Sequence, residues 1–362
     1  MAGNQPTVQS QIDAAEAALR QTTSTYPAMR KRYGPDESKW PPASEWAVAF
    51  AQLEAAKATA APPAPPPTPP PTSGLRAAYV GSTSPDGLDA FAAWVPTKFD
   101  LASSYCATDT WSNISGPSWL LQPWKGRYRL ALAVPMLPAS GGALAAGATG
   151  AYNAYFATLA GNLAAAGQGD AILRLGWEFN GGWYAWKVTS QTDAANFALY
   201  WRQIVATMRT IAPGLLFDWC PSLGIWPQGW TLEQAYPGDV YVDYIGLDVY
   251  DQSWVANYAD FSTRWASYLN GQPNGLQWHR DFAAAHNKPV SFPEWGVTIR
   301  SDGHGGGDCP QFVQAMHDWF ASSTLGYQSY FEFDAPDGAH SLQGGKFPQS
   351  AAKFQALFGG TK

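Results

Sequence analysis

The sequence predicts an α/β fold: a (β/α)8 barrel preceded by a short helical module and a proline-rich linker. Three observations predict it. Short β-rich segments alternate with helical stretches, the sign of a parallel sheet. Eight such segments fall between Leu75 and Phe333. The stretch that holds them, residues 74–362, is near the usual size of such a barrel with some loop growth.

Residues 1–60 read as a helical hairpin. QSQIDAAEAALR (residues 9–20) is rich in Ala and straight-chain residues, with Ile12, Ala15 and Leu19 near helical spacing. Gly34, Pro35, Pro41 and Pro42 break the pattern. Ser44 can then cap a second helix that carries Trp46, Phe50 and Leu53 on one stripe. Two short helices bury little surface, so association with another partner or with copies of itself is expected. Residues 61–73, APPAPPPTPPPTS, follow. Proline fixes its backbone angle and lacks a donor, so neither helix nor sheet interior forms there. The alternatives are a polyproline spacer, roughly 40 Å long at about 3.1 Å per residue, or a disordered tether.

The eight predicted strands are Leu75–Val80, Phe99–Tyr105, Arg129–Pro135, Ala171–Trp177, Leu215–Trp219, Tyr241–Val249, Pro289–Pro293 and Gln328–Phe333. Helical stretches between them include Ala151–Ala166, Asp193–Ile211, Leu276–His286 and Pro310–Ser323. Ala212-Pro213-Gly214 and Asn287-Lys288-Pro289 are helix-stop to strand-start punctuation. The competing fold is an open doubly wound sheet. It wants a Gly-rich phosphate turn after its first strand, and Tyr79-Val80-Gly81-Ser82-Thr83 does not supply one.

Composition excludes several function classes. The chain has 362 residues, 46% hydrophobic and 14% charged, which argues against wholesale disorder. No apolar run approaches the ~18 residues of a membrane helix, so no membrane insertion is expected. A net charge of −6 argues against a general nucleic-acid partner, whose affinity rests on clustered Lys and Arg. Cys106, Cys220 and Cys309 are too few and too scattered for a disulfide framework or a metal finger. Their odd number leaves at least one thiol unpaired within the chain. Met1–Ser10 is polar and lacks the basic start and apolar core of a secretory leader.

The chemistry should sit where barrel strands end. In AILRLGWEFNGGWYAWK (residues 171–187) an apolar strand runs into Glu178, followed by Asn180, two glycines, Trp183, Tyr184 and Trp186. A carboxyl past a hydrophobic strand and beside aromatics has its pKa raised, because desolvation disfavours the charge. That suits a general acid. The alternative is a structural ion pair with Arg174. In NKPVSFPEWGVTI (residues 287–299) another apolar strand ends in Glu294, then Trp295 and Gly296. The bland reading is again a salt-bridged strand end. Two such glutamates on predicted strands four and seven face each other across a barrel mouth and suit glycoside hydrolysis. There, one carboxyl is acid/base and the other nucleophile or base. A separation of about 5–5.5 Å means retention of configuration; a wider gap means inversion.

These two segments, with YVDYIGLDVY (residues 241–250) between them, resemble glycoside hydrolase family 26. The likeness covers most of residues 74–362. The loop DGHGGGD (residues 302–308) is similar to that of actinobacterial members. The resemblance implies that Glu178 is the acid/base and Glu294 the nucleophile, with retention. It implies a β-linked polysaccharide as substrate, mannan or glucan type or an actinobacterial cell-envelope glycan. Family mannanases usually carry His just before the acid/base; Trp177 stands there.

Trp and Tyr rings stack on the apolar faces of sugars. Trp177, Trp183, Trp186, Trp219, Tyr250 and Trp295 fall at or after predicted strand ends and are candidate substrate contacts, with core packing as the alternative. Asn180, Asp248 and His304 complete the candidate set. His340 falls in the loop after the last strand and could likewise touch substrate. The five histidines show no ligand spacing, and no nucleophile elbow, P-loop or metalloprotease motif occurs, so neither a metal nor a cofactor is expected. A second function remains open: a catalytically weak carbohydrate-binding or adhesion module on the same barrel. The helical module, spacer and barrel together, with RYGPDESKWPPASEWA (residues 32–47), resemble tail-associated proteins of actinobacterial phages. That likeness implies a virion-associated or extracellular location, with the N-terminal module bound to a virion tail or to itself.

Overall fold

In a computed structural model of the protein, residues 74–224, 229–270 and 274–360 are described. The helical module (1–60) and linker (61–73) lie outside them.

The eight predicted strands all form. β1 (Leu75–Tyr79), β2 (Leu101–Tyr105), β3 (Arg129–Val134), β4 (Ile172–Leu175), β5 (Leu216–Trp219), β6 (Tyr244–Gly246), β8 (Val290–Gly296) and β10 (Leu325–Phe331) pair in parallel. β8 also pairs with β10, and β10 with β1. The sheet therefore closes on itself as a (β/α)8 barrel, and the open-sheet alternative is excluded.

Helices wrap the outside. α1 (Pro85–Trp94), α2 (Trp111–Ser115), α3 (Ser118–Leu121), α4 (Leu144–Ala148) and α5 (Asn153–Ala165) cover the first half. α6 (Gln191–Ile211), α7 (Phe261–Asn270), α8 (Leu276–Ala285), α9 (Pro310–Ala321) and α10 (Pro348–Phe358) cover the second. The Ser190 hydroxyl caps α6 by accepting from the Asp193 amide at 3.1 Å. Asp193 in turn accepts from the Thr189 amide, so two orphan donors are satisfied at once. Pro213 ends the same helix two residues on. Between β5 and β6 the described residues hold only two 3-10 turns, Leu232–Ala235 and Asp239–Tyr241.

The predicted sixth strand, Tyr241–Val249, is divided. Its start is a 3-10 turn, its middle is β6, and its end belongs to β7 (Val249–Tyr250), which pairs with Trp295–Gly296 at the far end of β8. The short strand β9 (Ile299–Arg300) pairs with β11 (Gly338–Ala339) across the mouth.

Side chains alternate between barrel interior and helix layer, as the period of two requires. Ala77, Leu101, Ala131, Ile172, Leu216, Tyr244 and Tyr327 pack together as the interior floor. Two residues further along β2, β4, β5 and β10 the interior turns polar. Ser103 bonds Ser329 at 2.6 Å, and Ser291 donates to Asp218 at 2.8 Å. Arg174 lies in the same layer, two residues after Ile172. The intervening Leu173, Phe217, Trp219, Ile245, Phe292 and Tyr330 belong to the large outer core beneath the helices.

One strand breaks phase. Against β10, Gln328 pairs with Phe292, but Tyr330 pairs with Trp295. Three steps on β8 therefore oppose two on β10, a β-bulge around Pro293 and Glu294. Ser291 faces inward to Asp218, and without the bulge Pro293 and Trp295 would follow it there. With it, Glu294 points inward and Trp295 packs outward against Phe320 and Phe358.

Candidate active site

A cleft of about 1190 Å³ occupies the C-terminal mouth of the barrel, and both Glu178 and Glu294 line it.

Glu294 is almost buried, and both its oxygens accept hydrogen bonds. Arg174 Nη2 donates to Oε1 at 2.9 Å, and the Tyr250 hydroxyl donates to Oε2 at 2.9 Å. The same Nη2 reaches Asp248 Oδ2 at 2.6 Å. Arg174 is 2% exposed, so this is one buried guanidinium bridging two carboxylates from β8 and the segment after β6. The Tyr105 ring lies 5.9 Å from that guanidinium. Its hydroxyl is buried beside Glu294 with no hydrogen-bond partner of regular geometry.

Glu178 sits on the turn after β4 in the left-handed region, at φ +51°. That costs a non-glycine residue roughly 1–2 kcal/mol. Two main-chain bonds hold it: the Glu178 amide donates to Cys220 O at 2.8 Å, and its carbonyl accepts from Gly181 at 2.9 Å. Trp183 Nε1 donates to its Oε2 at 3.0 Å. Burial and the negative charge of Glu294 push the carboxyl of Glu178 up to about 8. The alternative reading, an ion pair between Arg174 and Glu178, does not form; Arg174 is spent on Asp248 and Glu294. Asp248 and Glu294 share one cation, burial raises the Asp248 carboxyl well above its ordinary value as well, and Glu178, outside the reach of Arg174, holds its proton at neutral pH. A proton donor and a carboxylate held by Arg174 and Tyr250 thus meet in one cleft.

The predicted sugar contacts divide. Trp183 is 54% exposed on the rim, and Tyr250 and Asp248 line the cleft. Trp177, Trp186, Trp219 and Trp295 are buried and do not line it. Trp177 and Trp186 back the wall instead. Trp177 Nε1 donates to the Tyr184 hydroxyl at 3.0 Å, and Trp186 stacks on the Tyr184 ring at 4.4 Å. Trp219 and Trp295 fall on outward positions of their strands and fill the helix layer. Asn180 exchanges two hydrogen bonds of 2.8 Å with the Ser222 main chain, fastening the loop after β4 to the loop after β5. His304 supports the rim: it stacks on Trp254 at 5.2 Å and its Nδ1 faces Ser253 O at 3.0 Å. Trp254, 58% exposed, is the ring that faces the cleft. His340 lines the cleft, its ring 4.8 Å from Tyr250.

Tyr79, Tyr105, Tyr184, Trp254, Tyr268, Phe331 and Phe333 complete the aromatic wall, and none of the seven was among the predicted site residues. For Tyr79, Tyr105 and Phe331 a signal existed: each is an aromatic at an inward position near a strand's C-terminal end. Arg174, a charge between two leucines of a buried strand, carried the same kind of signal.

Among the described residues no cluster of three or more His, Cys, Asp or Glu is placed to hold a metal ion, and no helix is long and apolar enough to cross a membrane. Cys106, Cys220 and Cys309 are all unpaired and buried.

Residues 150–270 match Glycosyl hydrolase family 26. The match spans α5 to α7 and includes Glu178, Asp248 and Tyr250, but ends before Glu294. No curated protein matches the chain. Among solved structures, the barrel is similar to the Cellulomonas fimi endo-β-1,4-mannanase at 18% identity and TM-score 0.56, covering 80% of this chain and 71% of that one. It is similar to the Bacillus subtilis mannanase BCman at 21% identity and TM-score 0.51, covering 74% and 83%. The catalytic domain of the Bacillus sp. JAMB-750 endo-β-1,4-mannanase aligns at 15% identity and TM-score 0.55, covering 86% and 91%. These likenesses are of fold. The barrel, the carboxyls facing across its mouth and the family match over the Glu178 segment together make this domain a glycoside hydrolase.

Proposed function

We propose that the barrel is a retaining endo-β-glycosidase of β-mannan-type polysaccharides. The observation that carries the reading is the division of labour in the cleft: Glu178 holds a proton up to about pH 8, while Arg174 and Tyr250 present Glu294 as an acceptor. In the first step a Glu294 oxygen bonds to the anomeric carbon as the glycosidic C–O bond breaks. The Glu178 proton goes to the departing oxygen. In the second step Glu178 takes a proton from water, the water oxygen bonds to the anomeric carbon, and the Glu294 carboxylate leaves. The mannan assignment is supported by the family match and by the mannanases among the fold neighbours. Action within a chain is supported by cleft size, since about 1190 Å³ exceeds what one sugar ring fills.

The test is a panel of mannan, mixed-linkage glucan, xylan and arabinogalactan, with product sizing and NMR of the first-formed anomer. Internal cuts in mannan with the starting configuration are expected. Glu294→Ala should abolish turnover with the fold intact, and Glu178→Ala should keep part of it on aryl glycosides with good leaving groups. Glycan binding without release of reducing ends would favour the adhesion-module reading, which the change from His to Trp177 motivates. A place on a virion tail or outside the cell is supported only by the sequence likeness of residues 1–73; finding the protein in purified virions would test it.

A further inference from the structure

Cys220 continues the inward phase of β5, two residues past Asp218. Its thiol lies 3.3 Å from Asp248 Oδ1, and Arg174 Nη2 lies 3.8 Å from the same sulfur. A weaker acceptor, Pro221 O, stands at 3.6 Å. Its own carbonyl accepts the Glu178 amide at 2.8 Å. One buried residue therefore touches both halves of the site. Its main chain holds the turn that carries the acid, and its side chain holds the carboxylate that shares Arg174 with Glu294.

The surroundings are cut to fit it. A Cβ on Gly246 would come within 2.9 Å of Cys220 Cβ and 2.6 Å of Asp218 Oδ1, so the neighbouring strand must carry glycine there. Burial keeps the sulfur in its protonated, donating form. Asp248 Oδ2 is fixed by Arg174 and Oδ1 by the thiol, so the carboxylate cannot rotate about its own bond without losing a partner. A rotation would drag Arg174 Nη2 away from Glu294 Oε1.

We infer that Cys220 is a positioning residue for the glycosidase reaction: its S–H bond to Asp248 fixes the Arg174 bridge and, through it, the Glu294 carboxylate. This rests on the glycosidase reading above. No sulfur chemistry is involved, and the thiol keeps its proton throughout.

The test compares wild type, Cys220→Ala and Cys220→Ser, on mannan and on an aryl glycoside whose leaving group needs no proton. Loss of a hydrogen bond to a charged group predicts a fall in kcat of about tenfold in Cys220→Ala. The fall should appear on both substrates, because it acts on the nucleophile rather than on the acid. KM should change little. Cys220→Ser, which still donates, should recover most of the rate. The idea is overturned by unchanged kcat in Cys220→Ala, by equal losses in Ala and Ser, or by a loss that follows Tm alone.

A second readout needs no substrate. The infrared difference spectrum between wild type and Cys220→Ser isolates the Cys220 S–H stretch. It should lie below that of a free thiol and move up in Asp248→Asn. A stretch indifferent to Asp248→Asn refutes the bond even if Cys220→Ala fails to fold. Wild type inactive on every glycan would refute the glycosidase reading, and with it the positioning role, while this spectrum still decides the bond.

Discussion

Arg174 Nη2 reaches Glu294 across the barrel at 2.9 Å, although Glu178 stands only four residues away on its own chain segment. The inward phase of β4 aims the guanidinium at the centre of the barrel. The left-handed turn at Glu178 lifts the second carboxyl out of its reach. That geometry separates one carboxyl that accepts from one that donates.

Replacing Arg174 by Met leaves Asp248 and Glu294 buried with no cation between them. Breaking a buried pair by removing one partner costs about 3–5 kcal/mol. Urea denaturation should show a loss of that order. Adding Asp248→Asn should return part of the stability and none of the activity. A stable Arg174→Met variant with normal kcat would contradict the assignment.

The pH dependence follows from Glu178. The acid must carry its proton, so kcat/KM should fall as pH rises through about 8. That alkaline limb should vanish in Glu178→Ala assayed on an aryl glycoside. Stability follows the same proton. The folded value is raised from 4.5 to about 8, so the folded state binds the proton more tightly over that window. The stability that goes with the protonated form is full below 4.5 and lost as pH rises through about 8. Glu178→Gln should therefore raise Tm more at alkaline than at acidic pH. A Tm difference independent of pH would disprove the shift.

Two tryptophans three residues apart should behave oppositely. Trp183 is exposed, so Trp183→Ala should leave Tm nearly unchanged. It removes a hydrogen bond that lowers the Glu178 value, and the alkaline limb should move upward. Trp186 is fully buried, and Trp186→Ala should cost about 3–5 kcal/mol in denaturation. Similar effects at both positions would mean that rim and core have been misassigned.

The strands were legible because each is a short apolar run between Gly, Pro or polar breaks, and burial on both faces demands that composition. The two glutamates were legible for a related reason: a lone carboxyl at the end of such a run has no ordinary place in a core. The tryptophans were not. An indole fills a helix–sheet layer as well as it stacks on a sugar, and only the in–out phase of the strand decides which. Trp219 lies one residue after inward Asp218 and is thereby committed to the outside. Arg174 stood out as a charge in an apolar strand, but its partners lie 74 and 120 residues away in the chain. No local pattern names them.

The irregularity in β8 makes backbone phase the property on which the end of that strand depends. Straightening the strand between Ser291 and Glu294 without removing a residue would exchange the two neighbours at its end. An indole would then enter the barrel, and a carboxylate would be driven among the phenylalanines of α9 and α10. Any natural or engineered variant that keeps this chemistry has to match length to phase: three steps with the bulge, or two without it.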